Sequence, residues 1–203
     1  LLFSQLTNPG LLSYFNAFRT TENSLNENLA RELLELYTVG AGNFTEKDVE
    51  NTALVLTGLK LNKNNKVIQS QKLRFKGETE ILGKKKFFNL YSLINWLAQQ
   101  PSTAENVVKR FGNYLIGDDI KSQDIKGVVR EFQASNLELK TLYESFKKND
   151  LYTTCQKFGS RLLDPSSLVA KTIYLIGSHH ENNFKIGLKA LTKMGQRFLE
   201  PPN

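Results

Sequence analysis

The sequence predicts an all-α fold: an irregular multi-helix domain spanning residues 1–203, interrupted by a small basic β-hairpin or irregular arm near residues 59–86. Three observations carry this expectation. Helix-start signals recur ahead of apolar residues at helical spacing along most of the chain. Runs that lean toward β-structure are confined to one region, where Asn62-Lys63-Asn64-Asn65 splits them. The composition, 40% hydrophobic and 23% charged over 203 residues, lets a folded chain bury about 70% of the surface it would otherwise expose, so no disulfide or metal is needed to hold it. The same composition excludes intrinsic disorder and low complexity as the main state.

Asn8-Pro9 opens a short apolar segment, Leu11 to Phe18, with Pro at the first helical position, where its missing N–H costs nothing. Ser24-Leu25-Asn26-Glu27 has the form of a capping box, in which hydroxyl and carboxylate each satisfy a free backbone N–H. The helix it starts is expected to reach about Val39 and stop at Gly40. Thr45-Glu46-Lys47-Asp48 has the same form ahead of Val49, Ala53, Leu54 and Leu56, and leads toward Gly58. The β-leaning runs are Leu59 to Leu61, Lys66 to Gln69 and Leu73 to Phe75. A helix is expected at about 90–99, and after Pro101 the residues Ser102-Thr103-Ala104-Glu105 read as a third box ahead of Val107, Val108, Phe111, Tyr114 and Leu115. Further helical stretches fit about 122–134, 137–147 and 151–162; Asp164-Pro165 opens Leu168 to Ile176, and a last amphipathic segment covers Phe184 to Phe198. No internal repeat and no flexible linker divides the chain, so a single domain is expected.

The 27 Lys and Arg against 20 Asp and Glu give a net charge of +7, unevenly placed. Residues 1–58 hold three basic and seven acidic side chains, and residues 59–203 hold 24 and 13. Residues 60–86 alone carry nine cations against Glu78 and Glu80. Such a window can face an anion, a lipid surface or nucleic acid, or be a solvated Lys-rich connection. Lys outnumbers Arg 20 to 7, and a hydrated ammonium lacks the planar fork that reads phosphate and guanine, so nucleic acid is the least favoured partner. No run approaches the ~18–20 apolar residues that span a bilayer, and no membrane span is expected.

The densest polar constellation is Asn26-Glu27-Asn28-Leu29-Ala30-Arg31-Glu32-Leu33-Leu34-Glu35-Leu36. At about 100° per residue, Asn28, Glu32 and Glu35 share one helix face, bordered by the apolar stripe Leu25, Leu29, Leu33 and Leu36. Two carboxylates and an amide at the edge of a core can act as an acid–base pair or hold a divalent cation at Glu32 and Glu35. The structural alternative is that Glu27, Arg31 and Glu35, four residues apart, form ordinary helix-stabilising ion pairs. The candidate polar site is therefore Asn26, Asn28, Arg31, Glu32 and Glu35, with no cofactor and no transition metal expected. His179-His180 are neighbours that diverge by about 100° on a helix, and no paired-cysteine spacing occurs. Cys155 has no base assignable to it. G-x-S-x-G, P-loop and dinucleotide-binding motifs are missing. The 13 Phe and 7 Tyr fall mostly at helical spacing and read as core.

The polar helix also carries a family resemblance. Asn26-Glu27-Asn28-x-Ala30-Arg31-Glu32-x-x-Glu35-Leu36, Thr38-x-Gly40, Phe44-Thr45-x-x-Asp48-Val49 and Leu56-Thr57-Gly58 resemble the bacterial family called domain of unknown function 1800. Leu82-Gly83, Leu97-x-x-Gln100-Pro101-Ser102-Thr103-Ala104, Asp164-Pro165 to Gly177 and Gly195-Gln196-x-x-x-x-Pro201-Pro202-Asn203 are similar to its later blocks in order. The resemblance implies a mostly helical, commonly exported protein, with a periplasmic or otherwise exported location. It also implies a possible protein partner resembling sulfatases and phosphatases, encoded nearby. The chain starts at Leu1 and ends at Asn203, and the resemblance makes it roughly the C-terminal half of a longer member, whose N-terminal region would be a further partner. Before the Leu-Gly, the family usually shows a His-Asp pair; here the stretch reads Arg74-Phe75-Lys76-Gly77-Glu78-Thr79-Glu80-Ile81. The tryptophan that commonly follows the Thr-Gly is Leu59 here. Arg74, Lys76, Lys84, Lys85 and Lys86 are thus candidates for an anion-facing surface.

The resulting expectation is a non-enzymatic binding or assembly module of the bacterial envelope. The alternatives are a hydrolase-like enzyme acting on a cell-surface polymer or ester through Asn28, Glu32 and Glu35, and anion or nucleic-acid binding through residues 60–86.

Overall fold

The computed structural model describes residues 2–116, 120–150, 152, 164–176 and 181–195. The helix expected at about 151–162, apart from Tyr152, together with Cys155, His179, His180 and the terminal Gln196 to Asn203, lies outside the described residues. The chain divides into two compact units, residues 1–157 and 158–203, and the described residues are mainly helical, with ten α-helices and two short antiparallel strand pairs.

In the first unit, α1 (Leu2–Leu6) and α2 (Pro9–Tyr14) form a short helical pair. Asn8 caps α2, its Oδ1 accepting the Gly10 amide at 2.8 Å. The helix ends earlier than Phe18, because Asn16 adopts a left-handed φ of 53° and a 3₁₀ turn follows at Ala17–Arg19. The expected Ser24–Glu27 box does not form. Thr21 and Ser24 exchange backbone hydrogen bonds instead, and the helix starts four residues later as α3 (Asn28–Glu32), running directly into a π-helical turn, Leu33–Tyr37. The Thr45 box is present: Thr45 accepts the Asp48 amide, and Asp48 Oδ2 accepts the Thr45 amide at 2.8 Å. It starts α4 (Glu46–Val55).

The basic region is a double hairpin docked on α4. β1 (Leu59–Leu61) pairs with β2 (Val67–Gln69), and β3 (Thr79–Ile81) pairs with β4 (Lys84–Lys86). The expected run at 73–75 is not a strand: a turn covers residues 71–73, and the chain continues through a bend at 74. The β3–β4 connection is the two-residue Leu82-Gly83, with φ of 49° and 71°, the geometry whose twist matches a tight hairpin. Thr79 and Ile81 are buried while Glu80 between them is exposed, as strand alternation requires.

α5 (Leu90–Ala98) is capped by Asn89, whose Oδ1 accepts the Ser92 amide. Its Leu90, Leu93, Ile94 and Leu97 lie at i, i+3, i+4 and i+7 and are buried. α6 (Pro101–Ile116) begins at Pro101 itself, so Ser102 lies inside the helix and the expected Ser102–Glu105 box is replaced by proline at the first position. Buried Thr103 donates to the Leu97 carbonyl at 2.6 Å and fixes the corner. α7 (Ser122–Ala134) and α8 (Leu139–Lys147) complete this unit. Two apolar clusters hold it: Leu6 to Leu97, built by α1 to α5 and the hairpins, and Ala104 to Phe146, built by α6 to α8. Each fully buried Leu or Phe contributes about 1.5–3 kcal/mol.

The second unit shows α9 (Pro165–Ile176) and α10 (Glu181–Lys193), packed together. Asp164 caps α9, accepting the Ser167 amide at 2.9 Å. The Ser166 and Ser167 hydroxyls hold its carboxyl well below the usual carboxylate range. No described helix is long and apolar enough to cross a membrane.

Candidate functional site

The structure separates the polar residues of the second helix. Asn26 ties the chain down before the helix starts: its Nδ2 donates to the Phe15 carbonyl at 2.6 Å and its Oδ1 accepts the Asn28 amide at 3.1 Å. Asn28 is exposed. Arg31 reaches across to α4, where its two terminal nitrogens meet both Glu46 oxygens at 2.9 and 2.5 Å, with Glu27 at 3.6 Å. This fork-to-carboxylate geometry raises the guanidinium pKa and lowers that of Glu46. Glu32 is half-buried and makes no ion pair with the described residues.

Glu35 goes elsewhere, because it stands in the π turn. A π turn closes i to i+5 bonds and breaks the 100° rotation that would keep Glu35 beside Asn28 and Glu32. The turn is pinned at its end. Buried Thr38 donates its hydroxyl to the Leu33 carbonyl at 2.7 Å, and the Gly40 amide reaches the Leu34 carbonyl at 2.9 Å. Gly40 has φ of 86°, and a Cβ there would lie 3.0 Å from Asn106 Cγ. Asn106, on α6, donates Nδ2 to the Thr38 carbonyl at 2.7 Å and to that of Glu35 at 3.4 Å.

Between this turn and α6 lies a cleft of about 490 Å³. Glu35 and Asn43 line one side; Ser102, Glu105, Asn106, Lys109, Arg110 and Asn113 of α6 line the other. Asn28 and Glu32 are not among its lining residues. The α6 residues recur at three- and four-residue steps, one polar helix stripe. The sequence analysis does not single that stripe out, and only its meeting with Glu35, some seventy positions earlier, brings it to notice. Among the described residues, Glu35, Glu105, Lys109 and Arg110 form no ion pair, and Asn113 Oδ1 is buried without a hydrogen-bond partner. No group of three or more metal-ligating side chains occurs among the described residues.

Arg74 and Lys76 lie between β2 and β3, and Lys84, Lys85 and Lys86 make up β4. Arg74 Nε donates to Gln71 Oε1 at 2.8 Å, and Lys76 is exposed. On β4, Lys84 is exposed, Lys85 approaches Glu78 at 3.9 Å, and Lys86 Nζ lies 4.6 Å from the centre of the Phe88 ring.

The family model described as Protein of unknown function (DUF1800) matches residues 1–203. The chain belongs to the DUF1800 family. No curated protein and no solved structure matches it. Several residues that carry the DUF1800 resemblance have structural duties here. Thr57 Oγ1 donates to the Leu54 carbonyl and accepts the Phe75 amide, both at 2.7 Å. Gly58, with φ of 76°, lets the Leu73–Arg74 backbone approach so closely that a Cβ would lie 2.6 Å from Arg74 N. Trp96 Nε1 donates to the Ile81 carbonyl at 2.9 Å, and Asn51 Nδ2 to that of Glu80 at 2.8 Å, docking the Leu82-Gly83 hairpin. In this DUF1800 chain the polar motif at residues 26–35 therefore divides between scaffold, at Asn26 and Arg31, and cleft, at Glu35.

Proposed function

We propose that this DUF1800 chain is a non-enzymatic binding module whose ligand site is the cleft between the π turn and α6. One observation supports this reading above others: half-buried Glu35, which the Arg31 charge also reaches, and the exposed Glu105, Lys109 and Arg110 line one cleft without a salt bridge to one another or to any other described residue. Oppositely charged side chains four residues apart on a helix are within reach of each other, and Lys185 and Glu181 pair at 2.8 Å in this chain. Glu105 and Lys109 have that spacing and do not. The volume falls within the roughly 300–1,000 Å³ of small-ligand clefts. A π turn in the wall also fits, since such turns concentrate at functional sites.

A hydrolase-like reading needs two carboxylates, or a carboxylate and an amide, converging on one reacting atom. The trio Asn28, Glu32 and Glu35 does not converge, because Asn28 and Glu32 lie off the cleft that Glu35 lines; the carboxylate that shares the cleft with Glu35 is Glu105, and the hydrolysis assays below decide between binding and that chemistry. Work at the bacterial envelope, assembly with a sulfatase- or phosphatase-like protein, and contact with a preceding region of a longer chain are part of the proposal and rest on the family resemblance.

The test is a thermal-shift screen of the chain against soluble cell-wall peptides and glycans, run beside hydrolysis assays on the same compounds and on simple esters. A ligand that raises Tm in the parent but not in Arg110→Ala, with no turnover, is the expected result. Turnover that disappears in Glu35→Gln would replace binding with the hydrolase reading.

A further inference from the structure

We infer that the cleft takes a short zwitterionic peptide, two or three residues long, with its ammonium held by Glu35 and Glu105 and its terminal carboxylate held by Lys109 and Arg110. This rests on the binding reading above and specifies its ligand.

The argument starts from the lining. On α6, Glu105 precedes Lys109 and Arg110 by four and five residues, an axial separation of about 6–8 Å at 1.5 Å per residue. Two residues of extended chain at roughly 3.5 Å each cover that distance. A single amino acid is too short to engage both ends at once. A ligand with opposite charges at that spacing satisfies all four side chains, whereas an anion alone leaves Glu35 and Glu105 facing it, and a cation alone leaves Lys109 and Arg110.

The uncharged lining points the same way. Asn106 commits its Nδ2 to the Thr38 and Glu35 carbonyls, and Asn43 commits its Nδ2 to the Val39 carbonyl at 3.0 Å. Their Oδ1 atoms accept nothing from the described residues, and Asn113 Oδ1 is likewise unpartnered. These bonds fix which way the Asn43 and Asn106 amides point. The cleft lining thus includes carbonyl-type acceptors, with Asn106 falling between Glu105 and Lys109 on α6, and peptide N–H groups are the donors that match them.

Other ligand classes fit less well. A nucleotide polyphosphate meets two carboxylates. An oligosaccharide finds no aromatic ring among the lining residues to stack on, and a lipid chain finds a polar stripe.

The experiment is isothermal titration of the 203-residue chain with trialanine, N-acetyl-trialanine, trialanine amide and chitotriose, repeated on Glu35→Gln/Glu105→Gln and on Lys109→Ala/Arg110→Ala. Circular dichroism confirms that both variants fold. Trialanine should bind at least tenfold more tightly than either blocked peptide. The carboxylate variant should lose the preference for a free ammonium, and the cation variant the preference for a free carboxylate, each with a tenfold or greater loss for trialanine. Equal affinity for free and blocked peptides, or affinity unchanged in both variants, overturns the inference. Chitotriose binding that the variants abolish, with no peptide binding, overturns the peptide assignment and leaves the binding module standing. No binding by any of the four compounds overturns the peptide assignment, and the binding reading is then judged by the wider screen above.

Discussion

The Asp48 carboxylate accepts the Leu82 amide at 2.7 Å with one oxygen and the Thr45 amide at 2.8 Å with the other. One side chain thereby closes the cap of α4 and anchors the turn of a hairpin 34 residues later. Leu82 has a left-handed φ of 49°, a conformation a Leu holds only when its surroundings impose it. Its amide bond to Asp48 is part of that imposition, together with the Trp96 and Asn51 bonds to the neighbouring carbonyls.

Asp48→Ala should therefore cost more than an ordinary cap. Loss of the Asp48 half of the capping box costs up to about 1 kcal/mol, the Thr45 hydroxyl still accepting the residue-48 amide, and the half-buried Leu82 amide left unpaired costs about 1–3 more. Asp48→Asn keeps one acceptor oxygen for two recipients and should cost about half as much. Urea denaturation of the two variants tests this ranking. Equal, sub-kilocalorie losses would show that the hairpin does not depend on Asp48.

Gly58→Ala and Gly127→Ala should move stability in opposite directions. At Gly58 the φ of 76° and a Cβ 2.6 Å from the Arg74 nitrogen combine a left-handed penalty of about 1–2 kcal/mol with a backbone clash of similar size. Gly127 is exposed within α7, and its added Cβ meets nothing within 4 Å, so alanine should gain about 0.5–1 kcal/mol from helix propensity. Measured Tm values of opposite sign are the expected outcome.

These features differ in how far the sequence reveals them. The Thr45–Asp48 box is local, with both partners within four residues, and its spacing announces it. The α5 and α7 faces repeat at helical intervals and are equally legible. Leu82-Gly83 is not, because Thr79 to Ile81 is too short to establish alternation and Lys84-Lys85-Lys86 has no β-former; tertiary bonds from Asp48, Asn51 and Trp96 select the hairpin. Asn26 reads as part of a polar helix, yet its bond to the Phe15 carbonyl keeps it outside the helix. The π turn defeats periodicity altogether. It displaces Glu35 from the face that a 3.6-residue repeat assigns it, and the α6 stripe opposite becomes visible as a cleft wall only in three dimensions.

Glu46→Gln should weaken the chain in a pH-dependent way. The Arg31 fork holds the Glu46 carboxyl below its ordinary value, so the folded state favours the ionised form. That contribution is fully present above the ordinary carboxylate range and is lost as pH falls through the depressed folded value. The Tm gap between parent and variant should be widest near neutral pH and close toward pH 3. Both partners are exposed enough for salt to screen them, so the gap should also shrink at high salt. A gap constant across pH would mean that the pair contributes nothing through its charge.

Asn106→Ala tests the link between α6 and the wall that presents Glu35. Its Nδ2 bond to the Thr38 carbonyl at 2.7 Å is half-buried, and the carbonyl loses that partner when the amide is removed, at about 1–2 kcal/mol. Asn106→Asp should do worse, since it turns an acceptor-only carboxylate toward two carbonyl oxygens. The local consequence separates this from a general loss of packing. The Gly40 amide, bonded to the Leu34 carbonyl at the end of the same turn, should exchange with solvent faster in both variants, while the amides of α7 keep their protection. If Gly40 and α7 lose protection together, Asn106 serves the whole fold; if Gly40 alone does, it acts as the fastening that sets the position of Glu35 in the cleft.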